Sequence, residues 1–86
     1  MKNAQHIQIQ ELAQVMFDLK SKQDMVEFLE GILTPKELQE LSLRLQIIKK
    51  LKAGEPQRKI ATDLGVGIAT ITRGSKEIQN GKFIYV

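Results

Sequence analysis

The side chains best suited to chemistry crowd into one short stretch: Arg58, then Ile68, Ala69, Thr70, Thr72 and Arg73. Their types fit base-pair edges and the phosphates beside them. The methyl groups of Ile68, Ala69 and the threonines match thymine methyls. Threonine hydroxyls can bond bases or phosphate oxygens, and a guanidinium such as that of Arg58 can grip guanine through two hydrogen bonds. Catalytic company is missing from the sequence. His6, the one histidine, has no carboxylate pair or nucleophile in recognisable company, and there is no cysteine to act as nucleophile, thiolate ligand or disulfide partner. The chain is therefore expected to be no enzyme and to use neither metal nor cofactor. Gly65-Val66-Gly67 has the start of a nucleotide-binding loop. However, Thr70 stands at the third glycine position, no strand precedes it and no Gly-Lys-Ser/Thr follows.

Charge points the same way as the side-chain types. The formal net charge is +3, but residues 1–48 carry five basic and seven acidic side chains. Residues 49–76 reverse this, with seven basic groups (Lys49, Lys50, Lys52, Arg58, Lys59, Arg73, Lys76) against Glu55 and Asp63. A positive third of the chain suits a phosphate-binding surface, because each neutralised phosphate releases condensed counterions. A basic face that is merely solvated gives the same count.

Groups of this kind need rigid elements behind them, and the apolar spacing supplies helices. From about Gln5 to Lys20, Leu12, Val15, Met16 and Leu19 share one helical face. Ser21-Lys22-Gln23-Asp24 is a capping start for a second helix, on which Met25, Phe28, Leu29, Ile32 and Leu33 are spaced as one side, with Gly31 weakening the last turn. Thr34-Pro35-Lys36-Glu37 is the sharpest local signal: a threonine cap, proline at the first helical position and a glutamate placed to reach back. The third helix it starts carries Leu38, Leu41, Leu45, Ile48 and Leu51 as a stripe. Leu43 and Ile47 lie on flanking faces, a breadth that suits contact with more than one neighbour. Lys49, Lys50 and Lys52 complement the negative end of its dipole, and Gly54 is a natural cap, so the helix is expected to stop near Ala53.

Beyond Glu55-Pro56 the pattern predicts two short helices. The first, Gln57 to Leu64, turns Ile60, Ala61 and Leu64 inward and ends at Gly65; the second starts near Gly67 or Ile68 and carries Ile68, Ile71, Ser75 and Ile78. Small Ala61 allows close approach, Gly65 permits the turn and Ile71 plugs the core, which together make a helix-turn-helix plan. The final segment, Asn80 to Val86, opens with a turn dipeptide and is then apolar and β-prone, with no assigned element.

The expected fold is all-α: a single domain over residues 1–86, with dimerisation helices in 1–54, a helix-turn-helix in 55–79 and a tail in 80–86. A chain of 86 residues buries a modest share of its surface, so a homodimer is the expected state. No apolar run approaches the roughly 18 residues of a membrane span. The polar start Met1-Lys2-Asn3-Ala4-Gln5 lacks a signal-peptide core, so a cytoplasmic, unexported protein is expected.

Leu33-Thr34-Pro35, Gly54-Glu55, Gln57-Arg58 and above all the run Leu64-Gly65-Val66-Gly67-Ile68-Ala69-Thr70-Ile71-Thr72-Arg73-Gly74-Ser75 make the chain resemble the Trp repressor family. The resemblance covers about residues 31 to 76, with one residue fewer at Pro56. It implies an intertwined homodimer that represses transcription, binding a palindromic operator in double-stranded DNA when L-tryptophan serves as corepressor. By position, Arg44 and Arg73 would sandwich the indole, as flat guanidinium groups can. Arg73 would also pair with the ligand carboxylate. Thr34, with backbone carbonyls around Gly31 and Leu33 of the partner subunit, would face the amino-acid head group, and Ile48 and Gly74 would line the indole slot. DNA contacts would come from Gln57, Arg58, Lys59, Gly67, Ile68, Ala69, Thr70, Thr72 and Arg73.

Several positions depart from the family pattern. Glu77 replaces a small hydroxyl residue that meets the ligand ammonium, so it could bond that ammonium or pair with Arg73 one turn away. Ala61 stands where the family has a further basic contact, for which Lys59 could compensate, and Gly31 replaces a bulkier apolar residue. Asn80 to Val86 is too short for the helix with which the family ends. Two other readings stay open at this stage: a helix-turn-helix regulator independent of tryptophan, and a small protein-interaction module whose basic hairpin docks on an acidic partner.

Overall fold

The computed structural model describes residues 3–86; Met1 and Lys2, the first residues of the polar start, lie outside the described residues. The order is α1 (Ala4–Phe17), α2 (Lys22–Ile32), α3 (Pro35–Lys52), α4 (Gln57–Leu64) and α5 (Ile68–Gln79), with no strand among the described residues. The fold is all-α. None of these helices is long and apolar enough to cross a membrane. The chain divides into two compact units, Met1–Leu38 and Gln39–Val86, with the division inside α3.

In the first unit each helix start is set by a side chain. Asn3 accepts from the His6 amide at 2.8 Å and Ser21 from the Asp24 amide at 3.0 Å. At the head of α3 the capping box is complete. The Glu37 amide donates to Thr34 Oγ1 at 3.1 Å while the Thr34 amide donates to Glu37 Oε1 at 2.8 Å. The Thr34 backbone amide, and after it the Thr34 side chain, hold the Glu37 carboxyl below its ordinary range.

One expectation for α1 is corrected. The helix ends at Phe17 rather than Lys20: Leu19 bonds back only three residues, to the Met16 carbonyl, and Ser21 must be extended (φ −148°) to cap α2. The chain has to leave helical geometry between those two points. Along the expected apolar face, Leu12 and Val15 are exposed and Met16 and Leu19 are half-buried.

The second unit holds the core: Ile47 of α3, Ile60 of α4 and Ile71 of α5 are buried, with Leu43, Leu51, Ala61, Leu64 and Val66 packed around them. Burying each such isoleucine is worth about 1.5–3 kcal/mol relative to leaving it in water. The α3 stripe differs from its expected centre. Ile47 and Leu43 face the core, whereas Leu41 and Leu45 are exposed, because α4 and α5 pack against the side of α3 that carries Ile47. Ile48, next to Ile47, is buried as well.

Two glycine turns fix the angles between these helices. At the end of α3 the amides of Gly54 and Glu55 bond back to the carbonyls of Leu51 and Lys50. At the end of α4 those of Gly65 and Val66 bond to Thr62 and Ala61. In both turns the glycine is left-handed, φ +85° at Gly54 and +67° at Gly65, a conformation costly for a residue with a Cβ. Val66 then drops into the core one residue after the turn. The tail forms a turn rather than the β-structure its composition suits. The Lys82 amide bonds to the Glu77 carbonyl, the Val86 amide to the Phe83 carbonyl, and Lys52 donates to the Phe83 carbonyl.

Candidate nucleic-acid interface

Helix α5 has two faces of opposite character. Ile71 is completely buried, with Ser75 and Ile78 half-buried one and two turns on, whereas Ile68, Ala69, Thr70 and Arg73 are exposed. The exposed set occupies the first turns, where a helix entering a major groove presents its side chains. Gly67 and Pro56 supply no side-chain cap to α5 or α4, so amides at both N-terminal ends have no side-chain acceptor. Water or phosphate oxygens are the natural partners for such groups.

The remaining sequence-predicted contacts divide into groups that are free to reach outward and groups already engaged. Arg58 is exposed and takes part in none of the ion pairs among the described residues. Thr72 is exposed, and its hydroxyl lies toward Gln57 Oε1 (3.0 Å) and the Ile68 carbonyl (3.1 Å). One hydroxyl proton serves these two acceptors, so Gln57 and Thr72 brace α4 against α5. Lys59 is engaged too: its ammonium donates to Asp63 Oδ2 at 2.6 Å and lies 3.7 Å from Glu55 Oε1, while Lys50 lies 3.6 Å from Glu55 Oε2. The hydrogen bond to Asp63, then the charges of Asp63 and Glu55, raise the Lys59 ammonium above its ordinary range, and the same bond lowers the Asp63 carboxyl. This network was missed as a unit, although Glu55, Lys59 and Asp63 repeat at intervals of four, the spacing of neighbours on a helix.

The residues carried over for a ligand fall in both units. Leu33 and Thr34 belong to the first, where Thr34 is occupied as a cap. Arg44, Ile48, Arg73, Gly74 and Glu77 belong to the second. Arg44 and Arg73 are exposed and Glu77 is half-buried; none of the ion pairs among the described residues joins Arg73 to Glu77. Gly74 faces α3: a Cβ there would lie 3.3 Å from Ile48 Cδ1 and 3.5 Å from both Ile47 Cγ2 and Leu51 Cδ1. Residue 74 thus packs against α3, with room for a methyl only if the tip of Ile48 yields by a few tenths of an ångström.

Two short helices joined by a tight glycine turn, one core-facing isoleucine in each, and an exposed polar set on the second place the chain among the helix-turn-helix proteins. Within that class it belongs to the Trp repressor family, whose sequence model, described as Trp repressor protein, matches residues 7–85. A Trp operon repressor homolog of Vibrio campbellii is 50% identical over 50 residues, covering 57% of this chain and 50% of the relative. The Trp operon repressor homolog of Photobacterium profundum is 46% identical over 63 residues, 72% of this chain and 59% of its own length. That of Aliivibrio fischeri is 48% identical over 50 residues, 57% and 46% respectively. The chain thus spans about half the length of the curated relatives it matches.

Proposed function

We propose that this chain is a cytoplasmic, homodimeric transcriptional repressor without catalytic activity, which binds a near-palindromic operator and is activated by L-tryptophan. The observation that carries the reading is the division of α5. Ile71 anchors the helix in the core, while Ile68, Ala69, Thr70 and Arg73 stand exposed on its opening turns, within a basic stretch of sequence. Bases are read by that exposed set and by Arg58 of α4, with Lys49, Arg73 and Lys76 available to phosphates. Gln57 and Thr72 hold the angle between the two helices. Family membership and the name Trp operon repressor homolog, carried by the matched relatives, support both the DNA target and the ligand. Arg44 and Arg73 are the groups proposed to enclose the indole, with Gly74 and Ile48 beside it and Thr34 and Leu33 of the partner at the head group. Glu77 is proposed to meet the ammonium, since it is half-buried on the turn that follows Arg73.

A second reading, a regulator independent of tryptophan, is favoured by one observation: side-chain atoms of Ile47, Ile48 and Leu51 lie 3.3 to 3.5 Å from where a Cβ of residue 74 would stand. Mobility shifts on a duplex enriched from a randomised pool, with and without L-tryptophan, separate the two. Tighter retardation with the amino acid supports the first reading, and by linkage the same duplex then tightens tryptophan binding. Equal retardation with and without it supports the second. Failure to prefer any duplex over random DNA overturns both.

A further inference from the structure

Glu55 and Asp63 are the two acidic residues within the basic stretch 49–76, and both are spent on lysines. The Lys59 ammonium sits between them, 2.6 Å from Asp63 Oδ2 and 3.7 Å from Glu55 Oε1, and Glu55 extends the chain of charges to Lys50. This network links the end of α3, at Lys50, through Glu55 to Lys59 and Asp63 of α4, the helix whose Gln57 is bonded to Thr72 of the reading helix. The lysine side chain is 59% exposed, so it faces solvent rather than the core. Arg58 and Arg73 are outside the network.

We propose that Asp63 and Glu55 restrain Lys59 and Lys50, limiting the protein's sequence-independent grip on duplex DNA while leaving base reading to Arg58, Thr70 and Arg73. The inference rests on the DNA-binding reading above and concerns how that surface is regulated. A lysine already neutralised by a carboxylate gains little from a phosphate. The phosphate must displace an attached anion, and the released carboxylate then faces the DNA backbone with like charge. Base-edge hydrogen bonds carry no such penalty. The carboxylates therefore lower affinity for all sequences alike, and contacts specific to the operator make up a larger share of what remains.

The test is the salt dependence of binding to a random-sequence duplex, read by fluorescence anisotropy of the labelled DNA over a NaCl series. Glu55→Gln/Asp63→Asn should steepen the plot of log affinity against log salt by about one to two units, since each newly engaged phosphate adds about 0.9. It should also tighten random-duplex binding several-fold. Adding Lys59→Gln to that variant should take back about one unit. A slope unchanged in the carboxylate variant, or a steepening that survives Lys59→Gln in full, overturns the proposal. Asp63→Asn alone, which leaves the pairs of Glu55 with Lys50 and Lys59 in place, should steepen the slope by no more than about one unit and serves if the double variant does not fold. The unmodified chain's own titration keeps the two readings apart. No salt-dependent binding there sinks the DNA-binding reading itself, whereas normal binding with unmoved variant slopes sinks only this one.

Discussion

Gly74→Ala separates the packing of α5 from any service that glycine gives a ligand. Residue 74 lies in the middle of α5, where exchanging glycine for alanine favours the helix by about 1 kcal/mol. Against this stands the new methyl, 3.3 Å from Ile48 Cδ1 and 3.5 Å from Ile47 Cγ2 and Leu51 Cδ1. Contacts near 3.5 Å are ordinary van der Waals separations, so only the Ile48 contact is tight, and by a few tenths of an ångström. The crowded atom is the tip of a side chain that rotates about its last bond, which costs about 0.5 kcal/mol for a modest departure from its rotamer. The net expectation is a gain of about 0.5 kcal/mol, or roughly 2–4 °C in melting temperature for a domain of this size. Circular-dichroism melts, with urea titration for free energy, measure it. A loss above about 1 kcal/mol would refute the reasoning, because Ile48 would then be unable to yield. In the same variant, calorimetric titration with L-tryptophan should show lost or much weakened binding if the indole lies against Gly74. Unchanged affinity would remove Gly74 from the ligand site.

Three further outcomes follow from the same geometry. Ile71→Ala, at a completely buried position, should cost about 2–5 kcal/mol, a large part of the stability of so small a core, and the urea midpoint should fall accordingly. Thr34→Ala removes the acceptor for the Glu37 amide and should cost about 1 kcal/mol, whereas Thr34→Asp should retain most of the capping, as thermal melts would show. The pH dependence has a fixed sign. Glu37 and Asp63 titrate below the ordinary carboxylate range when folded, so their stabilisation is present above the unfolded value of about 4. It is lost as pH falls through the lowered folded values, and carboxyl NMR titration should show both groups shifted down, with Glu37 still lowered but by less in Thr34→Ala, where the residue 34 amide keeps donating to it.

Much of this fold is legible in the sequence where a local rule acts alone. Thr34 and Glu37 announce the head of α3 because a cap is satisfied within four residues, and Gly54 and Gly65 announce two helix ends because left-handed turns favour glycine. The choice of Ile60, Ala61, Leu64 and Ile71 as inward residues succeeds because each sits on a short helix with a single covered side. The α3 stripe is harder to read. On a helix apolar on several faces, periodicity does not say which face meets α4 and α5, and Ile47 takes the core while Leu41 and Leu45 remain exposed. The end of α1 is obscured for a related reason, since Leu19 continues the helical spacing although Ser21 needs the backbone extended for the next cap. At the candidate interface, residue type alone makes Thr72 and Lys59 look like Thr70 and Arg58. What distinguishes them is partner choice, a hydroxyl turned to Gln57 and an ammonium held by Asp63, which depends on how two helices meet and which rotamers they allow.

The most direct test of the DNA-reading claim is residue-by-residue amide NMR of the 15N-labelled chain, titrated with a duplex enriched from a randomised pool in the presence of L-tryptophan. The largest perturbations are expected on Ile68, Ala69, Thr70 and Arg73 and on Arg58, with the buried Ile71 and the exposed face of α1 less affected. Perturbations confined to α1 and α2, with the opening turns of α5 unmoved, would contradict it.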